Sequence, residues 1–212
     1  MVARCAKKHA DVVACTAFAK SSLDSARARE SAEALGVELM TTALTEKNVG
    51  AALAEIDLPF VPTLMDRSLW CLYSIVSQTA RDSGARVMLL GQLADELFGG
   101  YAKYAEALKA KGEDVAESMM SADVREYAGR GRVRDVGACV PWVEPRFPFE
   151  SQDVVDIASS LPVSYKIRGG VRKAVLRRAA SILGVPEGEA GAAKKAAQYS
   201  SGVQKIVAGS RF

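Results

Sequence analysis

The segment that most constrains this chain is an apolar run followed at once by a glycine and a pair of acids. Val87-Met88-Leu89-Leu90 comes after the turn-like Asp82-Ser83-Gly84 and leads into Gly91-Gln92-Leu93-Ala94-Asp95-Glu96-Leu97-Phe98-Gly99-Gly100-Tyr101. A short apolar run bounded by turn residues is typical of a buried strand. Acids directly after such a strand would lie at the carboxyl edge of an open α/β sheet, where these folds bind ligands. They could hold Mg²⁺ and, through it, phosphates. A capped, solvated turn from strand to helix is the alternative that these residues leave open.

The rest of the chain up to Tyr101 alternates between strand and helix patterns. Apolar runs predict strands over residues 12–18, 37–43 and 87–90, and helical spacing predicts helices over 21–35, 45–56 and 66–81. Such alternation indicates an α/β fold with a doubly wound parallel sheet. Beyond Tyr101 the pattern is helical only. We therefore expect one domain over 1–212, with an α/β nucleotide-binding part (1–101) and an α-helical carboxyl half (102–212).

Composition places the chain among ordinary globular proteins. Its 212 residues are 49% hydrophobic and 25% charged, with a net charge of +3, which is too small to argue for nucleic acid as a partner. The four cysteines form no Cys-x-x-Cys pair, as is typical of reduced thiols. No segment reaches the roughly 20 apolar residues of a membrane span. These features predict a cytoplasmic protein without a membrane anchor.

Three blocks resemble the asparagine synthetase family in order and approximate spacing. Gly91 to Tyr101 is similar to its Ser-Gly-Glu-Gly-Ala-Asp-Glu-Leu-Phe-Gly-Gly-Tyr loop, and 144–149, Glu-Pro-Arg-Phe-Pro-Phe, to its Glu-x-Arg-x-Pro-Phe segment. The third block comprises Lys166-Ile167, Lys173 with Leu176-Arg177, and residues 194–202, Lys-Lys-Ala-Ala-Gln-Tyr-Ser-Ser-Gly. The resemblance implies a sheet like that of the adenine nucleotide alpha hydrolases. It also implies ATP-dependent adenylation of a small carboxylate, by family default aspartate, followed by amide formation.

The resemblance assigns roles to individual residues. Asp95 would hold Mg²⁺ and pyrophosphate, with Glu96 and Gly91 also at the nucleotide. Lys173 would face the α-phosphate and, with Gln92, lie at the reacting atoms. Strand residues Thr16 and Phe18 would lie at the adenine. ATP and Mg²⁺ are thus the implied cofactors, and ammonia, free or from a glutaminase partner, is the implied nitrogen source, since the resemblance includes no amino-terminal glutaminase domain.

Two departures from the family pattern favour a second interpretation. The sequence contains no Ser-Gly-Gly-x-Asp-Ser, the family's pyrophosphate loop, and its first residues resemble the helix that would follow that loop. Gln92 stands where the commoner residue is Glu, and an amide cannot take a proton at neutral pH. The alternative is a non-catalytic remnant that binds a nucleotide or a partner. A central strand missing from the sheet would leave unpaired edges, so homo-oligomerisation is also a hypothesis.

Overall fold

The structure is a computed structural model that describes residues 1–20, 24–191 and 196–210. Its contacts divide the chain into two compact units. Unit 1 comprises Met1–Cys5, Leu89–Arg130 and Arg146–Lys194, and unit 2 comprises Ala6–Met88, Gly131–Pro145 and Lys195–Phe212. The predicted division at residue 101 stays a prediction.

The amino-terminal half follows the predicted alternation of helices and strands. Its elements are α1 (Val2–Ala6), β1 (Val13–Phe18), α2 (Asp24–Leu35), β2 (Glu38–Ala43), α3 (Glu46–Ala54), α4 (Leu64–Asp82), β3 (Val87–Leu89) and α5 (Ala94–Phe98). The predicted strands and helices are confirmed to within a few residues, although Ser21, Ser22 and Leu23 lie outside the described residues. Gly36 ends α2 at φ +61°, a left-handed conformation that favours glycine.

The prediction of a purely helical carboxyl half is wrong. That half contains α6 (Ala102–Lys111), α7 (Glu113–Glu126), a π-helix (Tyr127–Gly131), α8 (Arg132–Cys139), β4 (Glu144–Arg146), a 3₁₀ turn (Pro148–Glu150), α9 (Gln152–Ser160), α10 (Val163–Lys166), β5 (Ile167–Arg168), β6 (Val171–Arg172), α11 (Ala174–Ile182), α12 (Glu187–Ala190), α13 (Ala197–Ser200) and α14 (Val203–Gly209). Strands β5 and β6 form an antiparallel hairpin across Gly169 and Gly170, whose φ angles are +56° and +79°. Two successive positive φ angles are what a tight hairpin turn requires.

The described strands form three two-stranded sheets, β1–β2, β3–β4 and β5–β6. Strands β1 and β2 are parallel, with Val13 opposite Glu38 and Phe18 opposite Ala43. Strands β3 and β4 are also paired in parallel. The Glu144 amide donates to the Arg86 carbonyl, and the Leu90 amide donates to the Arg146 carbonyl. The class is therefore mixed α/β, whereas the doubly wound sheet itself stays a prediction.

Unit 2 packs its core around the long helix α4. Side chains from β1, α3, α4 and α14 meet there, among them the fully buried Val49, Cys71 and Val203. Thr63 begins α4 through a capping box with Asp66, and such a box satisfies backbone donors at the helix start. In strand β1 only Ala17 is buried. In β3 only Met88 is buried, and Val87 and Leu89 are exposed.

Unit 1 contains two smaller apolar clusters. The first surrounds α5 and joins Leu93, Leu97 and Phe98 to Phe149, whose ring meets that of Phe98 edge to face at 6.1 Å. The second joins α6 and α7 to Val163 and Ile167. Helix α5 thus rests on packed side chains, which fixes the position of the acidic residues that it carries. None of the described helices combines the length and apolar character needed to cross a bilayer.

The four thiols differ in burial, and this predicts their reactivity. Cys71 and Cys139 are buried, and desolvation raises the pKa of Cys71 to about 12 and that of Cys139 to about 11. Thiolate is the reactive form, so iodoacetamide at pH 8 should alkylate exposed Cys5 and leave Cys71 and Cys139 unmodified until urea is added. Peptide mass spectrometry would check the labelling, and equal labelling of all four thiols would contradict the burial.

The same two buried thiols predict a pH dependence of stability. Because folding raises both pKa values, their contribution to the free energy of unfolding should be full below pH 9 and should fall as the pH rises further.

Candidate functional site

The acidic pair lies in a short helix that begins in an unusual way. Leu93, at the amino-terminal boundary of α5, has φ +69°, a left-handed conformation that is uncommon for residues with a side chain. Asp95 is therefore the second residue of the helix and not its N-cap, so Asp95 does not supply the cap in the alternative of a capped turn. Strain of this kind is of order 1–3 kcal/mol and persists only where the surroundings fix the backbone. Leu93 is itself buried in the first apolar cluster of unit 1.

Asp95 pairs with Lys173 across unit 1. Lys173 Nζ lies 3.0 Å from Asp95 Oδ1, and the two side chains are 25% and 20% exposed. Lys173 also has a positive φ, +55°, at the start of α11. The structure thus brings together the two residues to which the resemblance assigned the phosphates, one from helix α5 and one from the turn after β6.

Gly100 is held tightly against this pair. A Cβ atom at Gly100 would fall 1.7 Å from Asp95 Oδ1 and 2.6 Å from Lys173 Cε. The backbone is fixed further because Arg172 Nη1 donates to the Gly100 carbonyl at 2.9 Å and the Gly100 amide donates to the Asp95 carbonyl at 2.8 Å. Gly99, at φ +71°, ends α5. The two glycines therefore have separate roles, since Gly99 turns the chain and Gly100 leaves room for the Asp95–Lys173 ion pair to lie against the backbone.

Replacing Gly100 by Ala should separate Asp95 from Lys173. The added methyl group cannot be accommodated unless both side chains move, and overpacking of this kind costs about 1–3 kcal/mol. The matched control is Gly129→Ala in the π-helix of the same unit, where an added Cβ meets nothing within 4 Å. Urea unfolding should show this loss of stability for Gly100→Ala and not for Gly129→Ala. Equal midpoints for the two variants would contradict the close packing at Gly100.

Glu96 is engaged by an aromatic side chain five residues later in the same motif. Tyr101 Oη donates to Glu96 Oε1 at 2.6 Å, and burial followed by the Glu96 charge raises the pKa of Tyr101. Tyr104 packs on Tyr101 with ring centroids 5.5 Å apart and donates to Asp123, and Lys103 Nζ lies 2.5 Å from the same Asp123 carboxylate. This network was not predicted from the sequence. The tyrosine that follows Gly-Gly in the motif was the available signal.

The remaining predicted site residues occupy different settings. Gly91 is exposed, and an added Cβ there would meet nothing within 4 Å, while Gln92 is half-buried. Thr16 and Phe18 lie in β1 of unit 2, on the opposite face of the strand from buried Ala17. The Phe18 carbonyl accepts from Leu44. Lys194 and Lys195 of the third block lie outside the described residues. The nucleotide contacts of these residues stay predictions.

Comparison with known proteins decides the family. The asparagine synthase model matches residues 1–140 and 138–209, which is nearly the whole chain. The chain belongs to the asparagine synthase family. A protein of Methanocaldococcus jannaschii, with the provisional name asparagine synthetase 1 (glutamine-hydrolyzing), is 29% identical over 98% of this chain and 44% of its own length. Asparagine synthetase domain-containing protein 1 of mouse is 32% identical over 58% of this chain and 21% of its own length, and that of chicken is 32% identical over 58% and 20%.

The family match covers all three blocks that suggested the resemblance. The chain spans less than half the length of these relatives.

Proposed function

We propose that this chain carries the adenylating site of an ATP-dependent ligase that converts a small carboxylate, by family default aspartate, into its amide. The observation that carries the proposal is the pairing of Asp95 with Lys173 at 3.0 Å, directly after β3, in a chain of the asparagine synthase family. A carboxylate and an ammonium group fixed side by side could hold, respectively, a metal ion that carries the phosphates and a phosphate oxygen.

The proposed reaction has two steps. A carboxylate oxygen attacks the α-phosphorus of ATP, an O–P bond forms, and pyrophosphate leaves with the electron pair of the broken P–O bond. Ammonia then attacks the acyl carbon, a C–N bond forms, AMP leaves, and the nitrogen loses a proton. Such transfers depend chiefly on the positions of the reactants and on neutralising phosphate charge.

The donor set of the site fits Mg²⁺ bound together with a nucleotide. Mg²⁺ typically takes one or two protein carboxylates and fills its other positions with phosphate oxygens and water. Asp95 supplies one partly exposed carboxylate, while Glu96 is engaged by Tyr101. Within the described part of the chain no group of three or more acidic, histidine or cysteine side chains could hold a metal alone. When bound, Mg²⁺ would neutralise charge on the phosphates.

The chain's own residues would divide the remaining work. Lys173 would hold a phosphate oxygen as its charge grows, and Gly91 leaves open space in which a nucleotide can approach the backbone. Gln92 would orient the carboxylate or the nucleotide by hydrogen bonds, because an amide both donates and accepts but does not take up a proton. Thr16 and Phe18 would border the adenine.

Gln92 also supports a second candidate function. If proton removal in the family depends on a carboxylate at this position, the amide leaves a site that binds Mg·ATP without turning it over. The two candidates differ in an observable way, since both bind nucleotide but only the ligase releases pyrophosphate.

Product analysis would test the proposal. The chain is incubated with Mg·ATP, aspartate carrying ¹⁸O in its side-chain carboxylate, and ammonium or glutamine as the nitrogen source. We expect asparagine, pyrophosphate and AMP that contains one ¹⁸O atom, because the attacking oxygen stays on phosphorus. Formation of ADP would contradict adenylation. Nucleotide binding without any product would favour the second candidate. Turnover with glutamine only when a glutaminase is added would identify a partner enzyme as the ammonia source.

Lys173→Met should slow adenylation more than it weakens ATP binding. The lysine's charge is worth most where the phosphate gains negative charge, so its loss should reduce kcat by about 100-fold or more. The matched control is Arg178→Met, which removes an exposed cation from the same helix α11. Steady-state kinetics and ATP titrations of both variants would check this. A rise in KM with unchanged kcat would assign Lys173 to binding alone.

A further inference from the structure

Unit 2 contains a cleft that is separate from the residues assigned above. Its volume is about 630 Å³, within the range of small-molecule sites. The wall is formed by the end of α4, the turn that precedes β3, and the segment from the end of α8 into β4. Lining residues include Arg81, Arg86, Val140, Pro141, Trp142 and Glu144.

Backbone hydrogen bonds hold the two sides of the cleft together. The Glu144 amide donates to the Arg86 carbonyl at 2.8 Å, which joins the turn before β3 to β4. The Trp142 and Val143 amides both donate to the Cys139 carbonyl, at 2.9 and 3.0 Å, and so fix the turn after α8. These hydrogen bonds fix the walls of the cleft, so little ordering is needed for binding.

Trp142 presents a fixed aromatic ring in this wall. Its Nε1 donates to Ser74 Oγ on α4 at 3.3 Å, which anchors the indole at its polar edge. Val140 beside it is 60% exposed, and Pro141 adds further apolar surface. A planar apolar group could pack on these side chains, since aromatic rings favour stacked or edge-on contacts.

The lining carries more positive than negative charge. Among residues 1–20, 24–191 and 196–210, no ion pair or side-chain hydrogen bond engages Arg81 or Arg86. Glu144 supplies the one carboxylate of the lining, so its formal charge is +1. Guanidinium groups bind carboxylates and phosphates through paired N–H donors. Arg81 also suits the carboxyl end of α4 as a helix-dipole partner, but that role does not account for Arg86 or for the cleft.

We infer that this cleft binds a small organic anion, whose carboxylate or phosphate pairs with Arg81 and Arg86 and whose planar apolar body packs against Trp142. The site lies wholly within unit 2 and shares no residue with the proposed adenylation site. Its occupancy is therefore independent of whether the chain is an active ligase.

Three probes of one shape test the charge requirement. They are naphthalene-2-carboxylate, 2-naphthyl phosphate and the uncharged 2-naphthalenemethanol, each titrated into the intact chain and followed by the indole N–H signals of ¹⁵N-labelled protein. The chain has two tryptophans, so the signals can be assigned with Trp142→Phe. We expect saturable shifts of the Trp142 signal with one or both anions, little response to the alcohol, and an unmoved Trp70 signal. The anion that shifts Trp142 at lower concentration identifies carboxylate or phosphate as the preferred group.

Arginine variants locate the anion. Arg81→Gln and Arg86→Gln should each weaken the anion's binding by about tenfold, because each removes a charge-assisted contact. The control Arg67→Gln removes another exposed arginine from α4, about 21 Å from Arg81 along the helix, and should leave binding unchanged. All three positions are exposed, so folding should be retained. Equal affinity for the alcohol, or arginine variants that bind as tightly as the control, would overturn the inference, as would the absence of saturable shifts.

Discussion

Replacing Asp95 by Asn should reduce Mg²⁺-dependent ATP–pyrophosphate exchange by at least about 100-fold while leaving the protein folded. The substitution keeps the shape of the side chain but removes the charge that would hold the metal and that pairs with Lys173. The ion pair itself is partly exposed, so its loss should change the free energy of unfolding by no more than about 1 kcal/mol. A large effect on activity beside a small effect on stability would mark Asp95 as a functional residue.

The matched control for Asp95→Asn is Asp153→Asn, which removes an exposed carboxylate from α9 in the same unit. ATP binding of both variants is measured with and without Mg²⁺ in addition to exchange. The control should behave as the parent chain in every assay. If Asp95→Asn retains full exchange and full Mg²⁺-dependent binding, the metal role of Asp95 is wrong.

The second large effect concerns stability and arises from a buried charge cluster in unit 2. Arg134, Asp66 and Asp135 are 5%, 1% and 0% exposed. Arg134 Nη1 lies 3.1 Å from Asp66 Oδ1, and its Nη2 lies 2.7 Å from Asp135 Oδ1. The cluster joins α4 to α8. Arg134→Met should cost about 3–5 kcal/mol of unfolding free energy, because it leaves two carboxylates buried without their shared cation.

Urea unfolding measures this loss, with Arg67→Met as the control for removing an exposed arginine from α4. The triple variant Asp66→Asn, Arg134→Met, Asp135→Leu should recover much of the stability, since an apolar replacement of a whole buried cluster is often neutral or better. Asn at position 66 can still accept from the Thr63 amide and so keep the cap of α4. A loss below about 1 kcal/mol for Arg134→Met would show that the cluster is not buried as described.

The sequence predicted the elements whose signals are local. Strand β1 followed from an unbroken apolar run, and α4 from an apolar stripe with helical spacing. The position of Asp95 after β3 was likewise predicted from the apolar run that precedes it. In each case the deciding residues are close together in the chain, so their pattern reports the local structure directly.

The features that were missed depend on contacts between distant residues. Arg172 reaches the Gly100 carbonyl from 72 residues away, and Arg134 reaches Asp66 from 68 residues away. No spacing rule connects such pairs. The left-handed conformation of Leu93 is also imposed by packing, since leucine has no intrinsic preference for it. The Gly169–Gly170 turn did carry a local signal, but two-residue strands on either side are too short to show a period.

ATP–pyrophosphate exchange is the measurement that tests the central claim most directly. The chain is assayed with Mg²⁺ and a panel of carboxylates that includes aspartate, beside the same chain preceded by a strand and a Ser-Gly-Gly-x-Asp-Ser loop. We expect carboxylate-dependent exchange in at least one of the two proteins, and its loss in each on Asp95→Asn. Exchange by the 212-residue chain itself would show that its own residues suffice for adenylation. Silence in both proteins with every carboxylate would contradict the ligase assignment.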